Sequence, residues 1–311
     1  MALDRYQGVT GDTRPYRIAP MRASSAADRP RLFRLSAPDR ELVMKLDPRD
    51  PPSDRLRREF DQLTGLAPVF ADLPDCAILA PVYLDDGGGC LVTEYVPGQT
   101  VYALVQEART TAELADIARH AGRWLAVLHG SSAPVMASYE PDWAIRRLFE
   151  LAEAKGGDAP AIDIMRCADL IFELSNRLQL VRHLPCPRVP SHGDFTGGNL
   201  ILSEGRITGL DTATGNPKLS VYDIVDLLTN LDLGGPDHGL WSDEGRADGP
   251  LLHGFLEGYG TGLAPAVLEA ALLSRLAIVG FRITRREWYL HGHRRRRLRK
   301  ILVRLGRIFP E

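Results

Sequence analysis

Residues 191–199 read SHGDFTGGN, and an isolated aspartate follows at position 211 in the stretch ITGLD. Two carboxylates, an amide and a histidine around glycines are a costly mixture for mere packing. Geometry explains it better. NLIL (199–202) and RITGL (206–210) have the pattern of two strands joined around Ser203-Glu204-Gly205. If Ser203 pairs with Arg206, Asn199 lies opposite Leu210, and Asn199 and Asp211 meet at the open end of the ribbon. Asp194 then sits in the loop that feeds it. Acidic and amide oxygens converging with no basic group at that end are unfavourable unless a cation joins them, and this donor set suits Mg²⁺. Taken singly, Asp194 could cap a turn and Asn199 bond its own backbone. The spacing favours a shared task.

The surrounding elements must position that loop. YRIAPM (16–21), RLFRLS (31–36) and ELVMKLD (41–47) are short β-prone runs between turn residues. A helix is expected from Pro52-Ser53, with Leu56, Phe60 and Leu63 on one face, ending at Gly65. Two further strands, CAILAPVYL and CLVTEYV, flank a DDGGG turn. After Pro97-Gly98 the pattern turns helical. Thr110 and Glu113 form a capping box ahead of Leu114, Ile117, Ala121, Leu125 and Leu128. Helical periodicity recurs near 142–154, 161–182, 218–231, 248–259 and 265–290. The reading is an α+β chain with a β-rich N-terminal lobe, 1–97, and a helical C-terminal lobe, 98–311.

Composition agrees with a globular protein of ordinary makeup: 311 residues, 44% hydrophobic and 25% charged. Four scattered cysteines without a CxxC pair fit a reducing cytoplasm. Neither a secretion signal nor a membrane span is expected, so the expected location is cytoplasmic. The net charge of −2 hides segregation, because residues 282–307 carry eleven basic side chains and one acid.

HGDFTGGN followed by Leu-Asp resembles the H-G-D-x4-N and following Asp of the aminoglycoside phosphotransferase and choline kinase family. That family has a two-lobed, protein-kinase-like fold, with a small antiparallel-sheet N-lobe and a larger helical C-lobe. The resemblance implies an ATP- and Mg²⁺-dependent kinase that phosphorylates a hydroxyl of a sugar, amino sugar, aminoglycoside or amino alcohol. Asp194 would be the base that accepts the hydroxyl proton, with His192 supporting its loop, and Asn199 and Asp211 would hold Mg²⁺. Lys45, the only lysine in the first 150 residues, would meet the phosphates and pair with Glu59 on the following helix. Glu94 and Val96 would carry the connector that meets adenine, with Val43 and Ile201 as apolar cover above and below the base. WLAVLHG (124–130) and VYDIVDLL (221–228) are similar to two further family segments, and in the second Asp223 would brace the catalytic loop.

The chain departs from the family at one point: no glycine occurs between Gly11 and Gly65. Ser24 and Ser25 stand where a glycine-rich phosphate cover would be, which leaves as the alternative a catalytically weak nucleotide-binding scaffold associated with the membrane surface through its basic C-terminal helix. The acidic stretch 232–249, with Trp241, reads either as an amine cradle or, preferably, as a solvated loop. The basic C-terminal helix, with Leu298, Ile301, Leu302, Leu305, Ile308 and Phe309 at helical spacing, either docks its apolar stripe on the helical lobe or makes peripheral contact with anionic lipid through 291–309. No nucleic-acid partner is expected, since no recognised binding fold accompanies the arginines.

Overall fold

The computed structural model describes residues 2–22, 30–49, 52–153, 164–212, 216–237, 239–242, 244–260, 262–285 and 292–308. They group into two compact units, residues 1–99 with 201–215, and residues 100–200 with 216–311.

The first unit is built on a five-stranded antiparallel sheet in the order β1-β2-β3-β6-β5. Its strands are β1 (Arg17–Arg22), β2 (Arg31–Ala37), β3 (Arg40–Leu46), β5 (Pro81–Leu84) and β6 (Cys90–Glu94). Alternation along β3 divides its side chains. Leu42 and Met44 enter a core with Leu35, Tyr83, Cys90 and Val92, which leaves Val43 and Lys45 on the other face. The first face is covered by α1 (Ala2–Thr10), whose Tyr6 is fully buried in that core. This helix was not expected. Gly8, Val9 and Thr10 are poor helix formers, and burial of Tyr6 outweighs their preference. The Tyr6 hydroxyl also donates to Asp12 at 2.7 Å. Burial opposes that charge, but the Tyr6 and Tyr16 hydroxyls and Arg14 hold the Asp12 carboxyl far below the ordinary range.

Helix α2 (Arg55–Phe70) runs past Gly65 and through Pro68, so Gly65 is not its end. Leu56, Glu59, Leu63 and Phe70 are its buried residues, and this anchoring offsets two poor helix formers. The expected strand at 76–84 is two strands. β4 (Cys76–Ile78) leaves the large sheet and pairs in parallel with β11 (Arg206–Gly209). β11, β10 (Leu200–Ser203) and the short β7 (Gln99–Thr100) complete a four-stranded sheet, order β4-β11-β10-β7. The β10–β11 turn has Glu204 and Gly205 both at positive φ, 49° and 78°, as the primed hairpin turn requires.

The second unit is mainly helical: α3 (Val101–Glu107), α4 (Thr111–His129), α5 (Asp142–Glu153), α6 (Ile164–Leu180), α7 (Val221–Gly234), α8 (Pro250–Tyr259), α9 (Pro265–Arg285) and α10 (Gly292–Ile308). The capping box at Thr110 and Glu113 forms in full. Strands β8 (Val135–Ser138), β9 (Pro185–Val189) and β12 (Lys218–Leu219) make a small antiparallel sheet, order β12-β9-β8. Of the two fates open to the C-terminal helix, docking is the one observed. Leu298, Ile301 and Leu305 are buried. Arg304 is buried too, with a guanidinium nitrogen 3.4 Å from an oxygen of the fully buried Asp232 on α7. The apolar stripe therefore faces α7 and α9, and Arg295, Arg296 and Arg299 remain exposed. Among the described residues no helix is long and apolar enough to cross a membrane.

Candidate active site

Strand β9 delivers the chain into residues 190–199, and a single carboxylate organises that segment. Asp223, in the first turn of α7, is almost fully buried. Its Oδ1 accepts from the Ser191 hydroxyl at 3.1 Å and the Gly193 N–H at 3.0 Å. Its Oδ2 accepts from the His192 N–H at 2.8 Å and lies 3.2 Å from His129 Nε2. A carboxylate only accepts, so Nε2 carries the proton; Nδ1 of the same ring is 2.8 Å from the Tyr259 hydroxyl. Burial resists the Asp223 charge, yet His129 and the two backbone donors hold its carboxyl below the ordinary value. The histidine that ends α4 and the acid that begins α7 thus clamp the loop between them.

The glycines answer to shape. Gly193 sits at φ +83°, a conformation strained for other residues. Gly197 is buried, and a Cβ there would lie 2.5 Å from Leu231 and 2.9 Å from the Tyr102 backbone nitrogen. Its N–H donates to Asn230 Oδ1 at 3.1 Å. The loop is pressed onto α3 and α7 at a point where no side chain fits. His192 is buried, its ring edge-on to Trp124 at 6.0 Å and tilted on Phe195 at 5.3 Å. Phe195 stacks on Trp124 at 5.6 Å. His192 is therefore part of the loop's apolar foundation.

Asp194, by contrast, is exposed. It lines a cleft of about 560 Å³ within the second unit, together with Trp143, Lys218, Tyr222, Asp226, Arg275 and Arg282. Asn199 closes the short 3-10 turn Gly197–Asn199, and its amide nitrogen donates to the Asp194 carbonyl at 2.8 Å. That orientation turns the amide nitrogen inward and leaves its oxygen for another partner.

In the first unit, Lys45 on β3 makes direct ion pairs with both Glu59 of α2 and Asp211. Lys45 and Glu59 are buried, while the Asp211 side chain is 43% exposed. Burial works against the Lys45 charge, but Asp211 and Glu59 overcome it and hold the ammonium protonated above its ordinary range. The same ammonium keeps the Asp211 carboxyl low against its own desolvation. Glu59 is pushed up, first by burial and then by the nearby Asp211 charge. Asp211 has φ +54°, a left-handed backbone uncommon outside glycine and characteristic of functional sites. Val43, Val96 and Ile201 are all half-buried, and Glu94 receives the Arg40 guanidinium at 2.8 Å. Ser24 and Ser25 lie outside the described residues.

In the acidic stretch 232–249, three of the carboxylates among the described residues have basic neighbours. Asp232 pairs with Arg304, and Asp237 with Lys300 at 3.3 Å. Asp248 pairs with His253 at 2.7 Å, and Trp241 is buried at 2% exposure. Sequence reasoning passed over the cleft side chains Arg275 and Arg282. Their signal was legible: two arginines seven residues apart in the apolar run LLSRLAIVGFR lie on one helical face.

A family model described as the phosphotransferase enzyme family matches residues 22–269. No curated protein matches the chain significantly. Among solved structures, the ternary complex of APH(2″)-IIa with streptomycin and ATP is 16% identical, with a TM-score of 0.57, covering 97% of this chain and 96% of that one. A choline/ethanolamine kinase family protein from Mesorhizobium loti is 14% identical, with a TM-score of 0.57 and 99% of each chain covered. Amicoumacin kinase hAmiN, in complex with AMP-PNP, Ca²⁺ and Ami, is 14% identical, with a TM-score of 0.57, covering 93% of this chain and 87% of that one. At these identities the likeness shows a shared fold.

Proposed function

Because the chain belongs to the phosphotransferase enzyme family, and is on that ground an ATP-dependent phosphotransferase acting on hydroxyl groups, we propose a small-molecule kinase whose acceptor offers a sugar or other alcohol hydroxyl and whose base is Asp194. The observation that carries this reading is the contrast within one loop. Two of its backbone N–H groups and the Ser191 hydroxyl are fastened to Asp223, which His129 also holds, while the Asp194 side chain stands exposed at a cleft large enough for a small molecule. A fixed backbone with a free carboxylate is what positioning a hydroxyl demands. The acceptor oxygen forms its bond to the γ-phosphorus as the bond from that phosphorus to the bridging oxygen of ADP breaks. The hydroxyl proton passes to the Asp194 carboxylate.

Lys45, held by Glu59, is the cation for the nucleotide phosphates, and the connector at Glu94–Val96, with Val43 and Ile201, is the adenine site. By side-chain chemistry, Asn199 and Asp211 each suit Mg²⁺. The amide oxygen is left over once the nitrogen has bonded the Asp194 carbonyl, the Asp211 carboxylate is partly open to solvent, and both are hard oxygen donors. Among the described residues no group of three or more acidic, histidine or cysteine side chains could hold a metal ion. Such a sparse set suits a metal that arrives with phosphate oxygens, whose charge it neutralises when bound. Asp194→Asn lowers acceptor-stimulated ADP release by roughly 10²–10⁴-fold. Turnover near that of the unaltered enzyme removes Asp194 from the reaction. Asp211→Ala abolishes Mg²⁺-dependent nucleotide binding, measured by calorimetry.

A further inference from the structure

The cleft beside Asp194 carries more positive charge than phosphoryl transfer needs there. Among the described residues three cations line it, Lys218, Arg275 and Arg282, against two carboxylates, Asp194 and Asp226. Asp226 Oδ1 lies 2.7 Å from Arg275 Nε, so those two charges offset each other and the balance among these five groups is one positive charge. Asp194 faces the acceptor hydroxyl in the kinase reading, on which this inference rests. Lys218, half-buried just ahead of α7, has no acidic partner among the described residues. A fourth cation stands behind the wall. Arg297 of α10 is half-buried, and its guanidinium is lowered by burial and by the nearby Arg275 and Arg294 charges. None of the acids in 232–249 is among the residues that line this cleft.

The remaining wall is aromatic. Trp143 of α5 is 41% exposed, and its indole N–H donates to the Tyr222 hydroxyl at 2.5 Å, with the rings nearly perpendicular at 5.3 Å. That bond fixes the indole without burying it, and its exposed surface is left for a ligand's carbon skeleton.

We infer that the acceptor carries an anionic group, a carboxylate or a phosphate, seated on Lys218, Arg275 and Arg282 while its skeleton lies against Trp143 and its hydroxyl meets Asp194. Guanidinium and ammonium donors lining one cleft favour an anion and disfavour an amine. The cleft thereby selects by charge before it selects by shape.

The test uses the full chain and four sugars of one pyranose skeleton: glucuronate, glucose 6-phosphate, neutral glucose and cationic glucosamine. Calorimetry at pH 7.5 shows glucuronate or glucose 6-phosphate binding at least 10-fold more tightly than glucose, with glucosamine weakest. Which of the two anions binds better separates a carboxylate from a phosphate acceptor. Lys218→Glu removes the preference, and the milder Lys218→Gln, kept in case the reversal does not fold, reduces it at least threefold. Glucose or glucosamine binding as tightly as both anions, no binding of either anion, or a preference that survives both substitutions overturns the inference. ADP release is read separately on the same panel. Anion-selective binding without release with any acceptor counts against the kinase reading and leaves the anion site standing.

Discussion

Asp223→Asn is the sharpest probe of the loop that presents Asp194. Asparagine keeps the shape but offers one acceptor oxygen where aspartate offers two, and it points an N–H₂ group at donors. Four donors now converge on that carboxylate: the Ser191 hydroxyl, the backbone N–H groups of His192 and Gly193, and His129 Nε2. Two of them lose their partner in a site only 3% exposed. Each lost bond to a charged acceptor costs about 1.5–3 kcal/mol, so the variant should be less stable by about 3–6 kcal/mol. Against a total stability of about 5–15 kcal/mol this is a large share. At about 2 °C per kcal/mol for a chain of this size, Tm falls by roughly 6–12 °C. The pH dependence has a definite sign. The folded carboxyl lies below its unfolded value of 3.8, so its contribution is present above that pH and is lost as pH falls through the folded value. The stability gap between the two proteins should therefore be level from pH 7 to about 5 and shrink in stronger acid. Chemical denaturation across that range measures it, and steady-state kinetics add a second readout. Turnover falls while the KM for ATP holds, because Lys45 and Glu59 are untouched. A Tm shift below about 2 °C, or a gap that widens in acid, would refute the bracing argument.

Further expectations rest on separate features. Gly197→Ala forces a Cβ against Leu231 and the Tyr102 backbone, so it should cost about 1–3 kcal/mol and lower turnover through the loop; an unchanged denaturation midpoint contradicts the close approach. Arg304→Met leaves Asp232 buried without its charge partner and should cost about 3–5 kcal/mol by denaturation, a loss that a helix lying loosely on the surface would not show. Asp226 is pushed up to about 6 by burial and by the Asp223 and Asp194 charges, with Arg275 and Arg282 opposing. A raised carboxyl contributes stability below its unfolded value of 3.8 that is lost as pH rises through about 6. Relative to Asp226→Asn, the unaltered protein should lose on the order of 2–3 kcal/mol between pH 4 and 7, and a pH-independent difference refutes it.

The geometry of the candidate site was legible in the sequence where local spacing and chemistry coincide. The HGD-x4-N stretch lies within a dozen residues, and its hairpin carries a turn marked by Glu204-Gly205. Lys45 and Glu59 were legible for a related reason, as the lone early lysine followed by the one acid on the buried face of the next helix. What escaped was decided by tertiary burial. Helix α1 forms because Tyr6 fills the sheet's outer face, which no local pattern in ALDRYQGVT announces. The split of 76–84 into β4 and β5 is set by the parallel partner β11, more than a hundred residues away. Asp232 looks solvated until α10, far along the chain, is seen to supply Arg304, whereas Asp237 and Asp248 do stand exposed.

The arginine-rich C-terminus illustrates how charge and apolar spacing divide their tasks. Leu298, Ile301 and Leu305 recur at three and four residues, so one stripe of α10 is committed to α7 and α9. Arg304 falls within that stripe and would be excluded from it but for the fully buried Asp232. Removing either partner strands the other charge in a dry interface, whereas their attraction fixes which turn of α10 meets which turn of α7. Arg297, one turn ahead of Ile301, is half-buried with no acid paired to it among the described residues, and its neighbours depress it. Its cost is borne at the back of the cleft that Arg275 lines. Replacing Arg297 with Met should therefore stabilise the free protein while weakening the binding of an anionic acceptor, two opposite signs that a merely structural arginine could not give. Denaturation and calorimetry on that one variant measure both, and a loss of stability together with unchanged anion affinity would detach α10 from the cleft.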